Sequence, residues 1–219
     1  MTSPQQPHGP LRSFGRLKAR PLKARQAALF DSLLPRLAVP ADGPVAVRAP
    51  TWLEIGFGGG EHMAAQAQRH PDTTFLGAEP FVNGIGSALR HIEERALENV
   101  RLWQDDARAL LDRLPDAGLD RVFILFPDPW PKARHHKRRL IQPDVVAALA
   151  RVMSRGAVLR FATDWEDYAE QGRALIDASP DFGAVDRDPN IPPPDHVTTR
   201  YEEKRLGDIS PVWFDWIRR

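Results

Sequence analysis

From residue 51 onward, short apolar runs alternate with amphipathic segments, and few folds accommodate that alternation. The apolar runs cover residues 52–55, 73–76, 100–103, 122–126 and 157–161, with helix-like stretches such as 60–69, 84–96, 107–114 and 143–153 between them. Strands alternating with helices predict an α/β domain around a mostly parallel sheet. The tail changes character: residues 186–195 are proline-rich, 198–205 fit one helical piece, and 212–217 read as a closing strand.

Each predicted strand carries an acidic residue within it or just past it. These are Glu54, then Glu79, then Asp105 and Asp106, then Asp128, then Asp164. Ligands of open α/β sheets bind beyond the carboxyl ends of the strands, so these positions are expected to surround one crevice. Asp is also common in turns and helix caps, which explains any one of them alone but not the repetition.

The turn after the first strand, LEIGFGGGE, places Gly56, Gly58 and Gly60 where absent side chains let a ligand approach the backbone. Its spacing is G-x-G-x-G rather than the G-x-G-x-x-G of dinucleotide folds, a weak discriminator by itself. Glu54 and Glu61 flank the turn; they disfavour a pyrophosphate and suit the cationic ammonium and sulfonium of S-adenosylmethionine. Glu61 is equally explained as an acid in a first helical turn. Glu79 stands where a carboxylate accepts both hydroxyls of a ribose, as NAD also requires. Asp106 is placed for an adenine amino group, although Asp105 can serve instead and either can cap the helix near Ala107.

Residues 126–139, FPDPWPKARHHKRR, join a strand end to a dense cationic cluster. Pro127 and Pro129 restrict the backbone on both sides of Asp128, which suits a reacting centre. Lys132, Arg134, Lys137, Arg138 and Arg139, with His135 and His136, read as a phosphate grip beside it. Trp130 either stacks on a base or is buried. The two histidines lack supporting ligand spacing, so no metal is expected.

The 219 residues are 42% hydrophobic, enough for one sizeable core with an appendage, and contain no cysteine. Thirty basic against 29 acidic residues leave the net charge at +1, so the distribution of charge has to decide the partner. Residues 1–10 read as a disordered leader, and 11–25 as a basic arm with Arg12, Arg16, Lys18, Arg20, Lys23 and Arg25 and no acid among them. Pro21 opens a predicted helix through Leu37, followed by a linker over 39–50. The division expected is 1–48 for leader, arm and helix, and 49–219 for the main domain. With no signal-peptide core at the start and no uncharged run long enough to span a bilayer, a cytoplasmic protein with no membrane partner is expected.

Taken together, RSFGRLKARPL, LEIGFGGGEH, GAEP, DPWPKARHHKRR, FATDWEDYAE and TTRYEEKRLG resemble, in order and over nearly the whole chain from Arg12, the bacterial tRNA (guanine-N7)-methyltransferases. The resemblance implies a Rossmann-like class I methyltransferase fold, with a mostly parallel seven-stranded sheet, an antiparallel last strand and helices on both faces. It also implies methyl transfer from S-adenosylmethionine to a guanine N7 in the tRNA variable loop. Carried over by motif, cofactor contacts fall on Glu54, Glu79, Asp106 and Asp128, joining Gly56 and Gly58 of the turn, with Asp128 also the catalytic candidate. Substrate contacts fall on Lys132, Asp164, Thr199, Arg200, Tyr201 and Glu202. The family's four-residue block often reads Thr-Lys-Phe-Glu where this chain has Thr-Arg-Tyr-Glu, and Pro131 replaces a variable polar position.

By residue chemistry alone, Asp164 reads equally as a helix N-cap, and Thr199 with Glu202 has capping-box spacing. Two rival functions remain: an NAD-dependent oxidoreductase on a similar sheet, and a non-catalytic RNA-binding protein that kept the fold. A monomer or a homodimer is expected.

Overall fold

The computed structural model describes residues 21–219. Leader residues 1–10 and the arm up to residue 20 lie outside the described residues.

The chain forms α1 (Ala24–Ser32), α2 (Leu34–Leu37), β1 (Thr51–Ile55), α3 (Glu61–Arg69), β2 (Thr74–Ala78), α4 (Val82–Glu94), β3 (Val100–Trp103), α5 (Ala107–Arg113) and β4 (Leu119–Leu125). A 3₁₀ turn (Ala133–Arg138) follows, then α6 (Pro143–Val152), β5 (Met153–Thr163), α7 (Glu166–Asp177), β6 (Phe182–Ala184), α8 (Arg200–Lys204) and β7 (Val212–Arg218). The sheet order is β3-β2-β1-β4-β5-β7-β6. β1 to β5 pair in parallel, and β7 runs antiparallel to both neighbours. This is the class I methyltransferase arrangement with a reversed last strand.

The period-2 alternation of each strand assigns its residues to two faces. Leu53 and Ile55, Leu76 and Ala78, Val122 and Ile124, and Leu159 and Phe161 point to a face covered by α5, α6 and α7. Phe75, Val100 and Leu102 point to the other, covered by α1 to α4 through Leu29, Leu37, Met63, Ile85 and Leu89. That second face ends under β4, β5 and β7, where Phe123, Leu125, Ala162 and Trp213 form a smaller cluster. Its polar lid joins Arg160 to Asp215 (2.8 Å) and Asp195 (2.6 Å), and Arg121 to Asp195 (2.8 Å).

The single helix expected from Pro21 to Leu37 is broken at Leu33. Pro35 lacks an amide donor and restricts Leu34, so α2 restarts as its own short turn. Arg25 is not a free cation of the arm, because it pairs with Glu93 (2.8 Å) and fastens α1 to α4. β5 is longer than residues 157–161, starting directly where α6 ends.

Candidate active site

Strand order reverses between β1 and β4, so the crevice lies beyond their carboxyl ends. There the chain turns through Gly56, Gly58 and Gly60 at φ of +73°, +54° and +80°, conformations that L side chains rarely adopt. The glycines divide by purpose. A Cβ at Gly56 or Gly58 meets nothing within 4 Å, so these two leave open space for a ligand. A Cβ at Gly60 meets Ala88 at 2.7 Å, and one at Gly84 collides with the Gly58 carbonyl, so this pair lets α4 pack against the turn.

Glu54, on the opposite face of β1 from Leu53, is buried and its Oε2 lies 2.7 Å from His62 Nδ1. Gln66 Nε2 sits 3.2 Å from His62 Nε2 and donates to the Asp195 carbonyl at 2.8 Å. That carbonyl fixes the amide orientation, so His62 Nε2 accepts and Nδ1 carries the proton given to Glu54. His62, off the cavity wall, is a partner of Glu54 that sequence reasoning missed; it becomes visible only when α3 is set against β1.

Glu79 accepts from the Gly58 amide (2.8 Å) and the Phe81 amide (2.9 Å), bracing the glycine turn against the end of β2. Burial lifts its carboxyl to about 7 against the pull of these donors, with the Asp128 and Glu54 charges adding to the rise. Asp106 caps α5 by accepting from the Arg108 amide (2.9 Å) and pairs with the Arg108 guanidinium (2.6 Å). Burial opposes its charge, but Arg108 outweighs it and holds the carboxyl below the ordinary range. Glu61 is likewise lowered despite burial, by His91, its own backbone and Arg200.

Asp128 differs from these. Its carboxylate accepts no hydrogen bond from a described residue, and its surface opens into the crevice. Desolvation by the surrounding protein nevertheless raises its pKa above the usual carboxylate value. The segment is bracketed by Phe126 and Trp130, both at positive φ (+51° and +44°), an uncommon state for aromatic residues that localises strain around the acid. Trp130 is half-buried, with the Arg138 guanidinium 5.1 Å over its ring.

The tail closes the site. The capping box of α8 is formed, with Thr199 N donating to Glu202 (2.8 Å) and Glu202 N to the Thr199 hydroxyl (3.3 Å). Tyr201 stacks on Phe126 with ring centroids 5.8 Å apart, and Arg200 reaches to 3.9 Å from Glu61.

One cavity of about 1420 Å³ joins these parts, lined by Glu54, Gly56, Gly58, Glu79, Asp106 and Asp128 together with Thr199, Arg200 and Tyr201. Lys132, Asp164 and Glu202 are not on its wall. Asp164 therefore does not join the ring of acids expected around the crevice, nor does it cap α7, whose N-cap is Trp165. Its Oδ2 accepts instead from the Gly207 amide (2.9 Å), tethering the turn after α8; only glycine at 207 permits so close an approach. Arg139, expected in the phosphate-gripping cluster, points inward with a side chain 0% exposed. Lys23, Lys137, Arg200 and Lys204 line the cavity as exposed side chains, whereas Glu54, Glu79 and Asp106 are buried. These three acids of the wall thus sit deep, and these four cations lie at the mouth. The volume exceeds the ~300–1,000 Å³ of ordinary ligand pockets, leaving room for a second group beside a cofactor. Among the described residues, no three His, Asp or Glu side chains are grouped to hold a metal ion, and no helix is long and apolar enough to cross a membrane.

A family model described as "Putative methyltransferase" matches residues 48–214. The tRNA (guanine-N(7)-)-methyltransferase of Caulobacter vibrioides is 64% identical, with the whole of both chains covered. This chain belongs to the tRNA (guanine-N7)-methyltransferase family. The Hyphomonas neptunium member is 51% identical over 94% of this chain and 99% of its own. Among solved structures, precorrin-6y C5,15-methyltransferase from Geobacter metallireducens superposes with a TM-score of 0.52 at 16% identity, covering 89% of this chain and 88% of its own. The 16S rRNA (adenine(1408)-N(1))-methyltransferase of Catenulisporales acidiphilia, solved with its cosubstrate SAM, gives 0.52 at 17% over 78% and 86%. At such identities these two speak to fold alone, and both have the methyltransferase fold. Family membership favours the methyltransferase over the oxidoreductase reading.

Proposed function

We propose that the enzyme methylates N7 of a guanine in the tRNA variable loop with S-adenosylmethionine as donor, and that the cavity beyond β1 and β4 holds both. The donor supplies an electrophilic methyl group on a cationic sulfur. The residues fit it: Gly56 and Gly58 open the turn, Glu79 offers carboxylate oxygens to ribose hydroxyls, and buried acids face a cationic group. Asp106 retains acceptor capacity for an adenine amino group, although Arg108 already engages both its oxygens.

Guanine N7 has a lone pair and no proton, so the reaction requires alignment rather than a strong base. Methylation leaves the purine cationic, and a fixed carboxylate beside it lowers the energy of the charge as it forms. The observation that carries the proposal is Asp128: a carboxylate without a hydrogen-bond partner among the described residues, on a strained, proline-flanked loop, in one cavity with the glycine turn and α8. Thr199, Arg200 and Tyr201 bound the substrate side, with Glu202 and Asp164 holding α8 in place. Lys132, exposed at the start of the 3₁₀ turn, Lys137 and Lys204 meet phosphates. A tRNA partner implies action in the cytoplasm.

The test is incubation with methyl-labelled cofactor and unmodified tRNA. Label is expected on guanine N7, and Asp128→Ala abolishes transfer while leaving tRNA affinity nearly intact. Tight tRNA binding without label supports the non-catalytic rival instead; wild-type turnover of Asp128→Ala removes that residue from catalysis.

A further inference from the structure

The loop from Pro127 to Pro129 poses a physical problem. Proline lacks an amide hydrogen, so neither Pro127 nor Pro129 can donate to a neighbouring strand. The sheet's hold on this segment ends at Phe126, whose amide donates to the Ala162 carbonyl at 2.8 Å. Asp128 is exposed and accepts no hydrogen bond from a described residue. Its placement therefore depends on what grips the loop's carbonyls, and a carbonyl needs a donor brought to it from elsewhere.

Arg139 brings that donor. Its Nε donates to the Pro129 carbonyl at 2.7 Å, Nη2 to Asp167 Oδ2 at 2.6 Å, and Nη1 to Gln171 Oε1 at 2.5 Å and the Asp167 carbonyl at 3.4 Å. The guanidinium lies 4.7 Å over the Tyr168 ring, and the Tyr168 hydroxyl accepts from the Ile141 amide at 3.2 Å. One rigid, planar group thus binds the loop beside Asp128 to the face of α7, at fixed angles and out of solvent. Its chain neighbours in the cationic segment, such as Lys137 and Arg134, are exposed.

We propose that Arg139 is a positioning residue for Asp128, acting through the Pro129 carbonyl, and not one of the cations that meet tRNA phosphates. Resting on the reading of Asp128 as the reacting-centre acid, this assigns the last basic residue of the segment a task opposite to that of its neighbours. A lysine at this position keeps the charge but not the planar fork, and the three donors of one ammonium cannot satisfy four acceptors spread around a guanidinium plane.

The experiment compares wild type, Arg139→Lys and Gln171→Leu, measuring kcat and KM for unmodified tRNA, tRNA affinity across a salt series, and thermal unfolding. Misplacing a reacting group by about 1 Å costs up to 100-fold, so Arg139→Lys is expected to lower kcat roughly 10- to 100-fold. KM, tRNA affinity and its salt slope stay at wild-type values. Gln171→Leu, which removes one of the four acceptors and leaves the Pro129 contact, shows a smaller loss of kcat in the same pattern. A salt slope reduced by one phosphate contact overturns the proposal, because Arg139 then meets RNA. Wild-type kcat in folded Arg139→Lys also overturns it. If Arg139→Lys fails to fold, Gln171→Leu decides alone: unchanged kcat refutes the proposal. Running Asp128→Ala in parallel separates the two claims: activity there withdraws the role of Asp128, while inactivity there with full activity in Arg139→Lys withdraws only the positioning.

Discussion

Lowering the pH from 8 to 6 should weaken binding of S-adenosylhomocysteine, the uncharged-sulfur product of the proposed donor, by about tenfold through Glu79. The free carboxyl titrates at about 7, raised chiefly by burial. A ribose diol donating to it requires the ionised form, whose fraction falls from ~0.9 at pH 8 to ~0.1 at pH 6, a difference of ~1.4 kcal/mol in apparent affinity. Other acids face the same cavity, but Glu61 and Asp106 are held below the ordinary carboxylate range and stay ionised across this window. Asp128 is raised, so Asp128→Asn belongs in the series to isolate its share. Calorimetric titration at half-unit intervals is the assay. Glu79→Gln should bind more weakly at pH 8 and show a nearly flat profile, since one amide nitrogen would then face a backbone donor. Affinity independent of pH in the wild type, or stronger at pH 6, refutes the reasoning. For the unliganded fold the sign is opposite: the protonated form is favoured, so this stability is present below 4.5 and is lost as pH rises through about 7.

Gly60→Ala forces a residue at φ +80° against Ala88 and should cost about 1–3 kcal/mol in denaturant unfolding plus a loss of cofactor affinity; Gly156→Ala, at φ +85° with open space around it, should cost less, and equal costs would remove the packing argument. His62→Leu leaves Glu54 buried without its donor; a stability loss of ~1–3 kcal/mol with weaker cofactor binding is expected, and unchanged affinity would show that Glu54 needs no orientation. Log tRNA affinity should fall by roughly 0.7–0.9 per phosphate contact for each decade of salt, with Lys137→Ala reducing the slope by about one contact; a flat response would exclude phosphate gripping. Thr199→Ala removes the α8 cap and should raise KM for tRNA with thermal stability shifted by no more than ~1 kcal/mol.

Local pattern carried the architecture. Alternating apolar runs and amphipathic helices fix a parallel sheet, because period 2 and period 3.6 are written directly into residue spacing. The glycine turn and the acids at the strand ends then place the crevice, and Glu54, Glu79, Asp106 and Asp128 do meet there. The capping box at Thr199 and Glu202 was equally readable, being a contact over three residues.

What sequence could not give were partnerships across long separations, where one residue type suits opposite roles. Arg139 and Lys137 belong to one cationic run, yet α7 lies beneath the former and takes its guanidinium out of water, while the latter is exposed. Asp164 reads as a fifth acid in the ring, but a turn distant in the chain draws its carboxylate to Gly207 and away from the cavity. His62 gives no sign of its partnership until α3 is set against β1 and brings it to Glu54. Short-range geometry is set by covalent spacing, and so the chain determined its own sheet, turn and crevice. Which charge is paired, buried or left open depends on surfaces that meet only when the helices pack, and that was decided by the tertiary structure alone.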